Sequence, residues 1–263
     1  MDLGLKDKVI LVTGGAKGIG LGVSQLLAAE GAIPVIVGRN EADNKAAVQS
    51  IEATGGQAWS VTTELNQTEQ CRHAVEATVA RFQRIEGLVN NAGINDGVNL
   101  EHGDTERFIA SLRKNLLHYY EMAHFALPEL KKSRGAIVNV GSKVAETGQG
   151  GTSAYAAANG GRNALTREWA VELAKYSIRV NAVIVAECWT PMYATWLATV
   201  PDPEATRHEI EARIPFEHRM TTCEEIANMV AFLLSPRSSH TTGQLIHVDG
   251  GYVHLDRSVT ALT

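Results

Sequence analysis

Short β-rich runs alternate with longer helical patterns along the whole chain, and this alternation limits the fold more than any other feature. Near-continuous apolar strands between helices are typical of a parallel sheet covered on both faces. The pattern predicts one α/β domain over residues 1–263, a doubly wound parallel sheet of the Rossmann type. The predicted strands are 8–12, 33–37, 58–61, 87–90, 136–140, 178–184 and 245–248, and the predicted helices are 19–30, 41–53, 68–82, 105–130, 153–175 and 222–234. In such sheets, ligands bind outside the carboxyl ends of the strands.

Composition excludes several classes of protein. The 263 residues carry a net charge of -5, with 44% hydrophobic and 20% charged residues, as in a soluble globular protein. The negative balance argues against nucleic-acid binding, which needs basic patches. The polar start of the chain and the lack of a long apolar run predict a cytoplasmic protein without a membrane span. The three cysteines are far apart in sequence, and the nine histidines form no recognisable ligand set, so we expect neither disulfides nor a metal site.

One region interrupts the alternation. Residues 187–220 contain four prolines, together with Trp189, Tyr193 and Trp196, after a predicted strand. An insertion at a strand's carboxyl end is where a lid over the substrate is expected. The alternative is a surface excursion with a small core of its own.

A glycine-rich loop joins the first strand to the first helix. Glycines allow a tight turn and a close approach to a pyrophosphate, and the following helix offers free N–H groups. The spacing predicts a dinucleotide site, with cofactor contacts from Gly14, Lys17, Gly18, Ile19 and Gly20.

Several motifs in register resemble the short-chain dehydrogenase/reductase family. The glycine loop fits its TGxxxGxG pattern, and residues 90–93 read Asn-Asn-Ala-Gly, as the family's element near the adenine does. The resemblance implies cofactor contacts from Asn91, Ala92 and Gly93. It also implies that Tyr155 is the general acid/base, that Ser142 bonds the reacting oxygen, and that Asn115 holds a proton-relaying water.

The sequence departs from this family at Asn159. The family has lysine four residues after the tyrosine, on the same helix face, where its charge favours tyrosinate and its ammonium bonds the nicotinamide ribose. Asn159 could bond the ribose but carries no charge, so we expect cofactor binding to survive better than catalysis. Lys143 is one candidate substitute, although successive residues point in different directions. Arg162 lies two helical turns, ~10 Å, beyond Tyr155, and we interpret it as too distant.

Cofactor choice depends on residues after the second strand. Arg39 and Lys17 suit a 2′-phosphate, so we expect NADP, with NAD as the alternative cofactor. The alternative interpretation of both residues is that they are solvated surface cations without a role in binding. By resemblance, Glu64 and Leu65 lie against the adenine and Thr190 reaches the carboxamide.

The substrate side is predicted to be polar, which suits a sugar better than an acyl chain. Its candidate substrate-binding residues are Asn95, Asp96, Lys143, Gln149, Glu187 and Trp196. Segments 95–97, 118–120, 147–150, 165–169 and 251–257 resemble bacterial L-fucose dehydrogenase-like members of the family. That resemblance implies oxidation of an aldose at C1 in a homotetramer. One alternative is that Asp96 and Glu187 are solvated loop acids. For the whole protein, the alternatives are a cofactor-binding pseudoenzyme that acts as a sensor or scaffold, and a reductase of another small carbonyl compound.

Overall fold

Seven parallel strands form one sheet in the order β3-β2-β1-β4-β5-β6-β7. We describe residues 2–256 from a computed structural model; Arg257, the last residue of the predicted 251–257 segment, lies outside the described residues. The strands are β1 Val9–Thr13, β2 Ile33–Gly38, β3 Trp59–Thr62, β4 Gly87–Asn90, β5 Ala136–Ser142, β6 Arg179–Val185 and β7 Leu245–Val248. The chain order reverses between β1 and β4, so a crevice opens at their carboxyl ends. The predicted fold class is confirmed.

Helices cover both faces of the sheet. They are α1 Gly18–Ala29, α2 Glu41–Glu52, α3 Thr68–Phe82, α4 Thr105–Leu112, α5 His118–Ser133, α6 Ser153–Ala174, α7 Pro191–Leu197, α8 Pro203–Ala212 and α9 Cys223–Leu234. The long helical stretch predicted over 105–130 is present and extends to Ser133, but a π-helical turn, Arg113–Leu117, lies within it and separates α4 from α5. Two short helices, α7 and α8, fill the insertion, where the proline-rich sequence predicts no element.

The central strands β1, β4, β5 and β6 are buried on both faces, which explains their continuous apolar sequences. All five residues of β1 are buried. Val9 and Leu11 pack into a core with side chains of α3, α5 and α6, whereas Ile10 and Val12 pack into a second core with α1 and α9. This two-sided burial fixes where each strand ends and therefore where the loops of the crevice begin.

Within residues 2–256, no helix has both the length and the apolar character needed to cross a membrane.

Candidate active site

A cavity of about 660 Å³ lies at the carboxyl ends of β1, β4, β5 and β6. The structure brings together in its lining most of the residues that the sequence assigned to the cofactor and to catalysis. Those residues are Gly14, Lys17, Gly18, Ile19, Arg39, Glu64, Leu65, Asn91, Ala92, Gly93, Ser142, Tyr155 and Thr190. The predicted residues Gly20, Asn115 and Asn159 are not among the lining residues.

The glycine loop has the backbone geometry of an anion-binding turn. Gly14 has a φ of 65°, in the left-handed region. A Cβ on Gly20 would stand 2.1 Å from the Gly14 carbonyl oxygen, so this helix start can approach the loop only without a side chain. No side chain caps α1 at Lys17, which leaves the first N–H groups of α1 for a ligand. The loop therefore fits a dinucleotide pyrophosphate.

Hydrogen bonds tie the loop after β4 to β1. The Thr13 hydroxyl accepts from the backbone N–H of Asn91 at 2.9 Å and of Ala92 at 3.1 Å. The Asn91 side chain donates to the Thr13 carbonyl at 2.9 Å. Thr13 is fully buried, and the sequence analysis did not assign it to the site. Its place directly before Gly14 was the signal that could have identified it.

Two cations lie at the end of the cavity near β2. Lys17 forms an ion pair with Asp43, with 2.7 Å between Nζ and Oδ2. Arg39 is exposed and lines the cavity beside Gly38. Both positive charges therefore lie where the adenosine end of a dinucleotide is expected.

Ser142 and Tyr155 reach the same cavity from different elements. Ser142 ends β5, and its hydroxyl accepts from the Val144 N–H at 3.5 Å. Tyr155 lies in the first turn of α6. Asn115 is fully buried in the π-helical turn, a local geometry often found at functional sites. Its side-chain oxygen accepts from the Ile94 N–H at 2.8 Å, so it positions the loop that lines the cavity.

Asn159 is turned into the protein rather than toward the cavity. It is fully buried; its Nδ2 donates to the Tyr155 carbonyl at 2.9 Å, and its Oδ1 accepts from Arg162 at 3.1 Å. These bonds use its polar atoms, so the structure does not present Asn159 to a ribose.

The interpretation of Arg162 as too distant from Tyr155 is wrong. Arg162 lines the cavity, and its Cζ lies 6.0 Å from the centroid of the Tyr155 ring. The ~10 Å rise separates the Cα atoms only. Helical side chains lean toward the helix N-terminus, and the long arginine stem covers the difference.

The predicted substrate-binding residues lie outside the cavity lining. Lys143 and Glu187 form a buried ion pair, and the Tyr193 hydroxyl donates to Glu187 at 2.9 Å. Burial and the Glu187 carboxylate raise the pKa of Tyr193. The ion pair occupies Lys143, which therefore is not the free cation that the sequence allowed.

The other four substrate-side residues are also held apart from the cavity. Asp96 accepts from the Ser111 hydroxyl at 2.7 Å and lies 3.4 Å from Lys114 Nζ. Asn95 accepts from the Gly97 N–H at 3.3 Å. The exposed Gln149 lies in the loop before α6, and the half-exposed Trp196 packs edge-to-face on Tyr193 at 5.4 Å. Because Tyr193 itself lines the cavity, it connects Glu187 and Trp196 to the site.

The insertion touches the glycine loop. Thr190 caps α7, and its methyl carbon would lie 3.3 Å from a Cβ on Gly18. None of the residues of α8 is buried. Trp189, Met192, Trp196 and Phe216 are at least 40% exposed, so this segment presents large apolar side chains near the cavity.

Two groups that are distant in sequence come together. The free cysteines Cys188 and Cys223 have sulfurs 3.9 Å apart beneath the insertion. Glu146, His247 and His254 place potential metal-ligand atoms within 4.8 Å of one another, so the histidines do contribute to a possible ligand set. Within this group, His247 Nε2 lies 3.1 Å from Glu146 Oε2. Motif spacing could not reveal either group, because the partners come from different elements.

Residues 14–253 match a family described as Enoyl-(Acyl carrier protein) reductase. The chain is 38% identical to 3-oxoacyl-[acyl-carrier-protein] reductase FabG of Thermotoga maritima over 251 residues, 95% of this chain and 99% of that relative. It is 35% identical to L-fucose dehydrogenase of Bos taurus over 245 residues, 93% of this chain and 88% of that relative. The chain therefore belongs to the short-chain dehydrogenase/reductase family and is an oxidoreductase of that type.

Solved structures agree with this assignment. Cj0485 dehydrogenase has a TM-score of 0.93 at 45% identity, covering 98% of this chain and 99% of its own. Actinorhodin polyketide ketoreductase with NADPH has a TM-score of 0.90 at 28% identity, covering 95% and 98%. Aldohexose dehydrogenase of Thermoplasma acidophilum has a TM-score of 0.87 at 26% identity, covering 97% of each chain. The relatives thus include enzymes named for sugars and for acyl or polyketide carbonyl compounds.

Proposed function

We propose that the protein is an NAD(P)-dependent dehydrogenase that oxidises an aldose such as L-fucose at C1. The observation that carries this proposal is that Ser142 and Tyr155 line one cavity with the glycine loop. A proton-transfer group and a dinucleotide-binding turn therefore face the same space. The names of the L-fucose and aldohexose dehydrogenase relatives support a sugar as substrate.

The glycine loop and Arg39 would hold a nicotinamide dinucleotide, which would supply the hydride acceptor for the sugar carbon when bound. The Tyr155 phenolate takes the proton of the sugar hydroxyl, so the substrate O–H bond breaks as the tyrosine O–H bond forms. The Ser142 hydroxyl donates a hydrogen bond to the substrate oxygen. Asn115 supports these groups by fixing residue 94, rather than by contacting the substrate.

We propose NADP as the preferred cofactor, with NAD as the alternative. Lys17 and Arg39 lie at the adenosine end of the cavity, where they suit a 2′-phosphate. The ion pair of Lys17 with Asp43 leaves Arg39 as the principal cation. Kd values for NADPH and NADH in the parent and in Arg39→Ala test this. Loss of NADPH affinity alone is expected, and equal loss for both cofactors would contradict the assignment.

Steady-state turnover of L-fucose and other aldoses, with each cofactor from pH 6 to 10, tests the proposed activity. Tyr155→Phe is the matched variant, because it removes only the phenolic oxygen. We expect turnover in the parent and loss of at least about a hundredfold in Tyr155→Phe. Turnover of small ketones but not of aldoses would instead favour the carbonyl reductase alternative, which the FabG relative supports. Tight cofactor binding without turnover of either class would favour the pseudoenzyme.

We further propose a homotetramer located in the cytoplasm. Ile109 on α4 and Tyr120 on α5 are 45% and 53% exposed, and such apolar side chains suit an interface between copies. The free cysteines suit a reducing compartment. Light scattering of the purified protein tests the assembly.

A further inference from the structure

Arg162 is a buried cation, and one of its guanidinium nitrogens forms no hydrogen bond. Its side chain is held by three carbonyl oxygens: Nε donates to Asn115 O at 2.7 Å, and Nη1 donates to Val140 O at 3.2 Å and to Asn159 Oδ1 at 3.1 Å. The residue is only 3% exposed, and Nη2 has no hydrogen-bond partner. A Cβ on Gly93 would lie 2.8 Å from Nη2, which places this nitrogen against the cavity-lining loop.

Among residues 2–256, no carboxylate forms an ion pair with Arg162. Its charge instead faces two phenol rings, Tyr119 at 4.2 Å and Tyr155 at 6.0 Å from Cζ to the ring centroid. A buried charge without an opposite charge is costly. Such an arrangement is stabilised when an anion forms nearby, and the Tyr155 phenolate is an anion that the proposed reaction requires.

We propose that Arg162 is the positioning residue that stabilises the phenolate form of Tyr155, in the place of the charge that Asn159 lacks. The proposal rests on the proposed role of Tyr155. Arg162 holds the tyrosine's helix turn through Asn159 and supplies the charge itself. The cation therefore lies beside the tyrosine from the inner side of α6, rather than four residues along it.

Other titratable groups face this pair from the neighbouring elements. Burial raises the pKa of Tyr119, and burial together with the Arg162 charge lowers the pKa of His118 to about 3. From the insertion, Tyr193 is bonded to Glu187, and from the π-helical turn Lys114 pairs with Asp96. The Ser142 hydroxyl on β5 does not titrate in this range. Cys188 lines the cavity 3.9 Å from Cys223, and this contact lowers the pKa of Cys223. Only a pH-dependent step that is lost in Tyr155→Phe is therefore assigned to Tyr155.

Arg162→Gln and Arg162→Lys separate charge from packing. The Arg162 guanidinium lies 6.0 Å from the centroid of the Tyr155 ring, so its removal takes away a positive charge that favours the phenolate. We expect the acid limb of the kcat profile to move to higher pH in Arg162→Gln and to stay close to that of the parent in Arg162→Lys, which keeps the charge. The double variant Asn159→Lys/Arg162→Gln, which returns a cation to the helix face, should reverse part of the shift.

Arg179→Gln is the matched control. Arg179 also donates to backbone carbonyls, Leu233 at 2.6 Å and Ser235 at 3.0 Å, but it lies on β6 away from the cavity. We expect this variant to lose stability without a change in the pH profile. An unchanged acid limb in folded Arg162→Gln would overturn the proposal, as would an equal shift in Arg179→Gln.

A spectroscopic titration distinguishes failure of this proposal from failure of the proposed function. The tyrosinate absorbance that disappears in Tyr155→Phe belongs to Tyr155, whether or not any substrate turns over. This component should appear at higher pH in Arg162→Gln than in the parent. If the parent has no turnover but the component shifts, the assigned activity is wrong and the role of Arg162 stands. If the component does not move, the role of Arg162 is refuted.

Discussion

Removing the charge of Glu187 should destabilise the protein strongly, because it leaves Lys143 buried without its partner. The side chains of Lys143 and Glu187 are 8% and 13% exposed. The Tyr193 hydroxyl and the Tyr252 ring, 4.0 Å from Lys143 Nζ, complete the environment. Breaking a buried pair from one side typically costs about 3–5 kcal/mol. Since water reaches both groups slightly and the Tyr252 ring remains over the ammonium, we expect Glu187→Gln to lose about 3 kcal/mol.

Thermal and urea unfolding without ligands measure this loss. For a domain of this size, about 3 kcal/mol corresponds to a Tm lower by roughly 6–12 °C. The double variant Lys143→Met/Glu187→Leu should recover much of the loss, because neither charge is then buried. Glu41→Gln is the control, since its pair with Lys45 is 64% and 68% exposed and its loss should leave the melting temperature almost unchanged. A Glu187→Gln melting temperature within about 2 °C of the parent would refute the reasoning.

Three further changes test other parts of the structure. Gly20→Ala should weaken NADPH binding at least about tenfold in a calorimetric titration, since its Cβ would stand 2.1 Å from the Gly14 carbonyl oxygen and force the loop to shift. His118 has its pKa lowered to about 3 by burial; the unfolded chain therefore binds its proton first, and stability should fall as pH drops from about 6.5 toward 3. His118→Asn should flatten that fall in urea unfolding between pH 7 and 4. Thr222→Ala, which removes the capping box with Glu225 on α9, should cost about 1 kcal/mol at pH 7.

The arrangement of strands could be predicted because the central strands β1, β4, β5 and β6 are buried along nearly their whole length. The apolar runs at 87–90 and 245–248 match β4 and β7 residue for residue, and the capping box predicted at Thr222 is present at the start of α9. Burial on both faces leaves a strong hydrophobic signal in the sequence. Local hydrogen bonding does the same at a helix start.

The π-helical turn could not be predicted, because it requires one extra residue in a helix whose hydrophobic pattern continues. Asn115 lies in this turn, and its side chain accepts from Ile94 while its carbonyl accepts from Arg162. Both contacts join segments that are distant in sequence. Periodicity reports the face of a helix, whereas these bonds depend on how neighbouring elements pack. The same limit applies to the Lys143–Glu187 pair, whose members follow different strands of the sheet.

The charge on Arg162 also bears on whether the fold serves turnover or binding alone. A protein that only binds a dinucleotide needs donors for its phosphates, and the glycine loop and Arg39 provide them at the other end of the cavity. Arg162 also donates hydrogen bonds to Asn115, Val140 and Asn159, but a neutral donor would make such bonds without the cost of a buried charge. Here the cation is present, 3% exposed, with an unpartnered nitrogen and two phenol rings beside it. An ionised Tyr155 is the state in which this charge is stabilising, and ionised tyrosine is useful for moving a proton. The arrangement therefore favours an enzyme over a cofactor-binding scaffold, even though Asn159 carries no charge.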